Sequence, residues 1–213
     1  MQPSDALFIG VMPMTPFFND RKNAIGIASD SRCPRLLLAM AGLPGTGKST
    51  LAAALAKRLH ALVLNKDEIR ARLFPREAIG YSRGQDDHCM DVLFLMTEQV
   101  LKTNPEQTII IDGRTFSRSY QVEQLLLRAE AANFRPVIIE CVCDDAIAEQ
   151  RLDSAQRTGA HPAGNRTSAL YADLKKQADP IVMEHLVVDT GSEPVEASVE
   201  RCLSYMKTLA GSR

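Results

Sequence analysis

One short segment limits this chain more than any other. Gly42-Leu43-Pro44-Gly45-Thr46-Gly47-Lys48-Ser49 fits the pattern G-x-x-x-x-G-K-[ST]. An apolar run, 36–41, leads into it, and Leu51, Leu55 and Leu59 follow it on one helical face. A strand that turns through glycines into a helix aims successive backbone N–H groups inward, and the helix adds its positive end. Phosphate is the ligand such a turn fits. Residues Gly42, Leu43, Pro44, Gly45, Thr46, Gly47, Lys48, Ser49 and Thr50 are therefore the candidate nucleotide-binding segment. Lys48 is expected to reach the outer phosphates, and the Ser49 hydroxyl to ligate Mg²⁺.

The rest of the chain repeats the strand-then-helix rhythm. Short apolar runs at 61–64, 108–111, 136–142 and 186–188 lack polar alternation, as strands covered on both faces require. Helical stripes lie between or after them: Cys89, Val92, Leu93, Met96 and Val100; Val122, Leu125, Leu126 and Ala129; Val195, Val199, Cys202, Met206 and Leu209. The pattern predicts a three-layer α/β domain over 35–213, its five-stranded sheet mostly parallel with helices on both faces. Residues 1–34 carry Pro3, Pro13, Pro16 and Pro34 without periodicity and read as an N-terminal extension. Between 144 and 179 two polar helices, roughly 144–157 and 167–178, flank Thr158-Gly159-Ala160-His161-Pro162-Ala163-Gly164-Asn165, which predicts a small helical lid with a mobile hairpin.

Composition sets the outer limits. At 24% charged and 45% hydrophobic residues, the chain can bury a core without disulfides or structural metal. A formal net charge of −1 supplies no global field for nucleic acid or membrane. Cys33, Cys89, Cys141, Cys143 and Cys202 lack redox or zinc spacing, and no run is long enough to span a bilayer. With no basic leader at the start, these features predict a cytoplasmic protein with reduced thiols.

In open α/β sheets, ligands gather at the carboxyl ends of the strands, so the first polar residues after each apolar run are the ones to weigh. After the second run come Asp67 and Arg70, three apart and so on one helical face. After the third come Asp112, Gly113 and Arg114. Asp112 is placed to hold Mg²⁺ with Ser49. Gly113 is expected to let a ligand approach closely, with Arg114 pointing into the same region. The segment 81–88, including Tyr81 and Arg83, reads as a polar loop capping a helix from Asp86.

The segments Leu43-Pro44-Gly45-Thr46-Gly47-Lys48-Ser49-Thr50, Asp67-Glu68-Ile69-Arg70 and Ile111-Asp112-Gly113-Arg114 resemble the P-loop kinases related to polynucleotide 5′-kinase, zeta toxins and chloramphenicol phosphotransferase. The resemblance covers about 36–210 and implies a P-loop kinase fold. It implies an ATP-dependent phosphotransferase acting on an alcohol, with Lys48, Asp67 and Arg151 catalytic. Asp67 would be the base for the acceptor hydroxyl, and Asp67, Arg70 and Arg114 would bind substrate. Arg151, Arg157 and Arg166 would be the lid arginines that clamp phosphates. Many members of the group have a small or polar residue where Arg114 stands, which implies an anionic acceptor group here. In those relatives the loop matching Asp189-Thr190-Gly191-Ser192 passes the adenine ring, often through backbone atoms. The absence of a guanine-reading Asn/Thr-Lys-x-Asp motif favours ATP. The expected partner is a small-molecule acceptor, with a nucleic-acid 5′-end, and an ATPase or switch without such an acceptor, as the alternatives.

Overall fold

Strands and helices alternate along the described residues, save after the second and fourth strands, where one helix follows another. The structure, a computed structural model, describes residues 35–158 and 166–211. The extension predicted over 1–34 and all of the predicted hairpin but Thr158 lie outside the described residues. The order is β1 (Arg35–Ala41), α1 (Lys48–Leu59), β2 (Leu62–Asn65), α2 (Lys66–Leu73), α3 (Arg83–Thr103), β3 (Ile109–Asp112), α4 (Ser119–Ala131), β4 (Phe134–Val142), α5 (Asp145–Thr158), α6 (Ser168–Lys176), β5 (Leu186–Asp189) and α7 (Val195–Gly211). A 3₁₀ turn, Arg76–Ala78, joins α2 to α3. Among the described residues, no helix is long and apolar enough to cross a membrane.

The five strands pair in the order β2-β3-β1-β4-β5, every pair parallel. Alternation along β1 shows why both faces must be apolar. Leu37, Ala39 and Ala41 enter a core with Met90, Leu93 and Phe94 of α3 and Leu125 and Ala129 of α4. Leu38 and Met40 enter a second core with Leu51 and Leu55 of α1 and Val199, Cys202 and Met206 of α7. That is the three-layer sandwich the unalternating runs demand. A third cluster is small: Ala148 and Leu152 of α5 with Tyr171 of α6. Tyr171 and Lys175 both donate to Asp145, at 2.7 and 2.6 Å, so α5 and α6 rest on few apolar contacts and an exposed ion pair. A region held so lightly opens more readily than either main core.

Several boundaries differ from the sequence reading. The helix expected from Asp86 begins at Arg83, because the Ser82 hydroxyl accepts from Gln85 N and caps the turn earlier. That places Asp86 and Asp87 inside the first turns of α3. On the same helix Met96 is 40% exposed, so it lies outside the buried stripe. The lid helices run 145–158 and 168–176 instead of 144–157 and 167–178, the second capped by Thr167.

Candidate active site

The loop between β1 and α1 is shaped by its own backbone. Gly47 closes it as the N-cap of α1 in the left-handed region, φ 80°, where a side chain would be strained. The Thr46 hydroxyl donates to Leu43 O at 2.8 Å, and Lys48 Nζ donates to the same carbonyl at 2.7 Å. Gly42 N donates to Thr115 O at 2.9 Å, fastening the loop to the segment after β3. Lys48 is 4% exposed. Burial, then the charge of Arg166, pushes its ammonium down to about 8, against the upward pull of Asp112. A buried lysine folded over a carbonyl is poised for a stronger anionic partner.

Arg151 reaches the loop from α5. Its guanidinium donates to Thr190 Oγ1 at 3.0 Å, to Thr190 O at 2.8 Å and to Gly45 O at 3.3 Å. Thr190 Oγ1 in turn donates to Thr46 O at 2.8 Å. Thr190 therefore binds the phosphate loop to the end of β5 across the sheet, a role its sequence position did not advertise. Gly45, Gly47, Lys48, Ser49, Thr50, Arg151, Arg166 and Thr190 border one cavity of about 420 Å³. Arg157, the third expected clamp, is exposed on the last turn of α5 and does not border the cavity. It stands six positions along the helix from Arg151, and helical geometry turns the two side chains apart.

Asn65 organises the ends of β2 and β3. Its Oδ1 accepts from Asp67 N at 2.8 Å and Glu68 N at 3.2 Å, capping α2. Its Nδ2 donates to Asp112 Oδ2 at 2.8 Å. Because Asn65 does the capping, the Asp67 side chain is left for other partners. The signal was present, since an asparagine before Asp67 and Glu68 is an N-cap sequence, but its hold on Asp112 was not readable. Gly113, expected to admit a ligand, instead admits α2: at φ 90°, a Cβ there would lie 3.0 Å from Lys66 N. The glycine brings two strand ends together.

Asp112 is 1% exposed, and its Oδ1 has no hydrogen-bond partner among the described residues. A buried carboxylate oxygen left empty fits a cation or its bound water. Ser49, bordering the phosphate cavity, is the second residue suited to hold Mg²⁺.

The other side of the site is a knot of ion pairs. Asp67 accepts from Arg70 at 2.6 Å and from Arg166 at 2.7 Å, with Lys66 Nζ at 3.9 Å. Burial pushes the Asp67 carboxyl up, but Lys66, Arg166 and Arg70 outweigh it and hold it below the usual carboxylate range. Asp67 is thus ionised at neutral pH. Arg70 also pairs with Asp86, which takes Lys66 at 2.9 Å. Arg114, expected to point at ligand, is 1% exposed and donates to Asp87 at 2.5 Å. In the sequence Asp86 and Asp87 read only as part of a polar loop capping a helix, not as partners of these arginines. They neutralise both arginines proposed to bind an acceptor.

Residues 37–180 match the AAA-domain family, well over half of the chain. The chain belongs to that family. Its fold is that of P-loop kinases. A candidate kinase from Chloroflexus aurantiacus J-10-fl superposes with a TM-score of 0.64 at 25% identity, over 80% of this chain and 98% of that one. The APS kinase CysC of Mycobacterium tuberculosis, bound to AMPPNP and APS, gives 0.61 at 16% identity, over 82% and 99%. A gluconokinase from Sinorhizobium meliloti 1021 gives 0.57 at 16%, over 84% and 95%. A search of curated proteins found no match.

Proposed function

We propose that this AAA-family chain is an ATP-dependent kinase that transfers the γ-phosphoryl group to the hydroxyl of a small molecule. One observation carries the reading: Arg166 borders the phosphate cavity with Lys48 and also pairs with Asp67 at 2.7 Å. A single side chain spans the donor half and the acceptor half, so the phosphate cradle and an ionised carboxylate lie within one guanidinium's reach of each other.

In this reading Ser49 and Asp112 would hold Mg²⁺, which would supply charge shielding for the phosphates. Lys48 and Arg151 contact phosphate oxygens, and Arg166 moves from Asp67 to the transferred group. The acceptor oxygen forms a bond to the γ-phosphorus while the bond from that phosphorus to the β,γ-bridging oxygen breaks, and ADP leaves. The hydroxyl proton passes to Asp67. Its low basicity is tolerable because the transition state is loose and the proton moves late, so orienting the hydroxyl is the larger task. Departure of Arg166 removes one of the cations holding Asp67 ionised and raises its proton affinity as the acceptor arrives.

A small acceptor is favoured over a polynucleotide 5′-end because Arg70 and Arg114 already hold the carboxylates of Asp86 and Asp87. Few uncompensated cations are left to follow a phosphate backbone. The test is a panel of hydroxyl compounds and 5′-hydroxyl oligonucleotides, incubated with ATP labelled at the γ-phosphate. Transfer to one or more small alcohols is expected. Efficient labelling of oligonucleotides with a steep salt dependence would replace the acceptor class. ATP consumption indifferent to every acceptor would make the protein an ATPase or switch.

A further inference from the structure

The side-chain amide of Asn65 joins Asp112 to the helix that carries Asp67. β2 and β3 run parallel, with Asn65 opposite Asp112. Asn65 Oδ1 takes the backbone N–H groups of Asp67 and Glu68, while Nδ2 donates to Asp112 Oδ2. These partners fix the amide's orientation. A flip would set its two hydrogens against two N–H donors and its oxygen against a carboxylate. Gly113 keeps the strand ends close, since a Cβ there would lie 3.1 Å from Asn65 Oδ1. With Oδ2 of Asp112 held, Oδ1 is the oxygen left without a partner. The carboxylate also stands near enough to Lys48 to raise the lysine's proton affinity. An amide is planar and stiff, so the Asp112 carboxylate and the first turn of α2 do not move independently of it.

Resting on the reading of Ser49 and Asp112 as the holders of Mg²⁺, we infer that Asn65 is a positioning residue with two tasks. It aims the partnerless oxygen of Asp112, and it ties occupancy of that oxygen to the helix start that carries Asp67. Without the Nδ2 donor, the buried carboxylate loses the hydrogen bond that orients it. Groups that hold a metal-binding side chain in this way matter to the metal, and their removal typically weakens it about ten- to a hundred-fold. The coupling runs in both directions. Once Oδ1 of Asp112 is occupied, the carboxylate turns less, the Asn65 amide turns less with it, and the N–H groups of Asp67 and Glu68 are held more firmly. Asp67 is therefore seated most rigidly when the donor half is loaded.

The test uses the full chain, ADP and Mg²⁺, and needs no acceptor. Calorimetry gives the ADP affinity with and without Mg²⁺, and the ratio of the two is the metal enhancement. Asn65→Ser keeps an N-cap oxygen but has no donor that reaches Asp112 while capping, so Tm and the Mg²⁺-free ADP affinity should stay near those of the unaltered chain. The metal enhancement should fall about tenfold or more. In an Asp112→Asn background the same substitution should lower it no further, because the two residues act through one contact. Amide exchange is the second readout. Mg²⁺ added to the ADP complex should slow exchange at Asp67 and Glu68 in the unaltered chain, and Asn65→Ser should lose that extra slowing. Asn65→Thr, which also caps, serves if the serine variant folds poorly. A residue that only capped α2 would leave the enhancement at its original value. An undiminished enhancement, or an equal loss in both backgrounds, overturns the inference and leaves the metal reading standing. Exchange at Asp67 and Glu68 that ignores Mg²⁺ in the unaltered chain overturns the tie to Asp67. If Mg²⁺ does not tighten ADP on the unaltered chain, the metal reading falls and the inference with it.

Discussion

The two halves of the candidate site are built on opposite principles. The donor half is an open cavity of about 420 Å³, with unpartnered oxygens and a lysine lent to a carbonyl. The acceptor half is closed on itself: Asp67, Arg70 and Arg114 are each 5% exposed or less, and each is paired. The acceptor half already contains its own counterions, and a ligand entering it must break ion pairs first. Since Arg166 belongs to both, filling the donor half is the natural trigger for opening the acceptor half. Nucleotide should therefore bind before acceptor.

The largest effect that could break this division falls on Asp67. Asp67→Asn should lower kcat by about a hundred- to ten-thousand-fold, the range for acid–base groups, and leave the KM for ATP near its original value. Steady-state kinetics with an acceptor that the unaltered protein phosphorylates decide it. A collapse of ATP affinity with kcat intact would move Asp67 to the donor half.

Asp87→Asn comes next. It strands Arg114, which is 1% exposed, without its counter-charge. A cost of about 2–3 kcal/mol in unfolding free energy is expected, below that of a fully buried pair because water reaches the aspartate. Chemical denaturation measures the loss, and calorimetry should find ATP binding unchanged. An undiminished stability would mean that Arg114 is satisfied by other means.

Proton chemistry sharpens the contrast further. With Lys48 pushed down to about 8, phosphates meet a protonated lysine below that pH and a neutral one above it. Nucleotide affinity should hold to about pH 8 and fall roughly tenfold by pH 9, as binding then takes up a proton. The nucleotide-free fold should behave oppositely. The unfolded chain keeps the lysine proton up to its ordinary value of 10.5, so the fold gains stability as pH rises from about 8 to 10.5. Asp67, held ionised, should add no change to the acceptor KM across pH 6–9. Calorimetry and acceptor kinetics over pH 6–9 test the first and third statements, and denaturation of the nucleotide-free protein from pH 8 to 10.5 tests the second.

The smallest effect concerns Arg157. Arg157→Ala should change turnover by less than about twofold, as for an exposed charge with no ligand role. A large loss measured in the same transfer assay would bring the last turn of α5 into the closed site.

How much of this was legible in the chain depends on sequence separation. The phosphate loop is contiguous, so eight residues specify it through local backbone geometry, and flanking apolar runs specify its strand and helix. Asp67 with Arg70 could be read because three residues on a helix share a face. Asp112 could be read because it ends a strand. The ion pairs of the acceptor half join residues far apart: Arg114 to Asp87 across 27 positions and Arg166 to Asp67 across 99. No periodicity encodes such pairings. Thr190 closing on Thr46, 144 positions away, is the same case, since only the parallel sheet brings β5 and the phosphate loop to one edge. By itself the sequence determined the layered fold and the place of the phosphate loop between its strand and helix, because short-range sterics and apolar patterning decide both. The tertiary structure alone decided which charges meet, because the energy of a charge depends on its buried neighbours and not on its place in the chain.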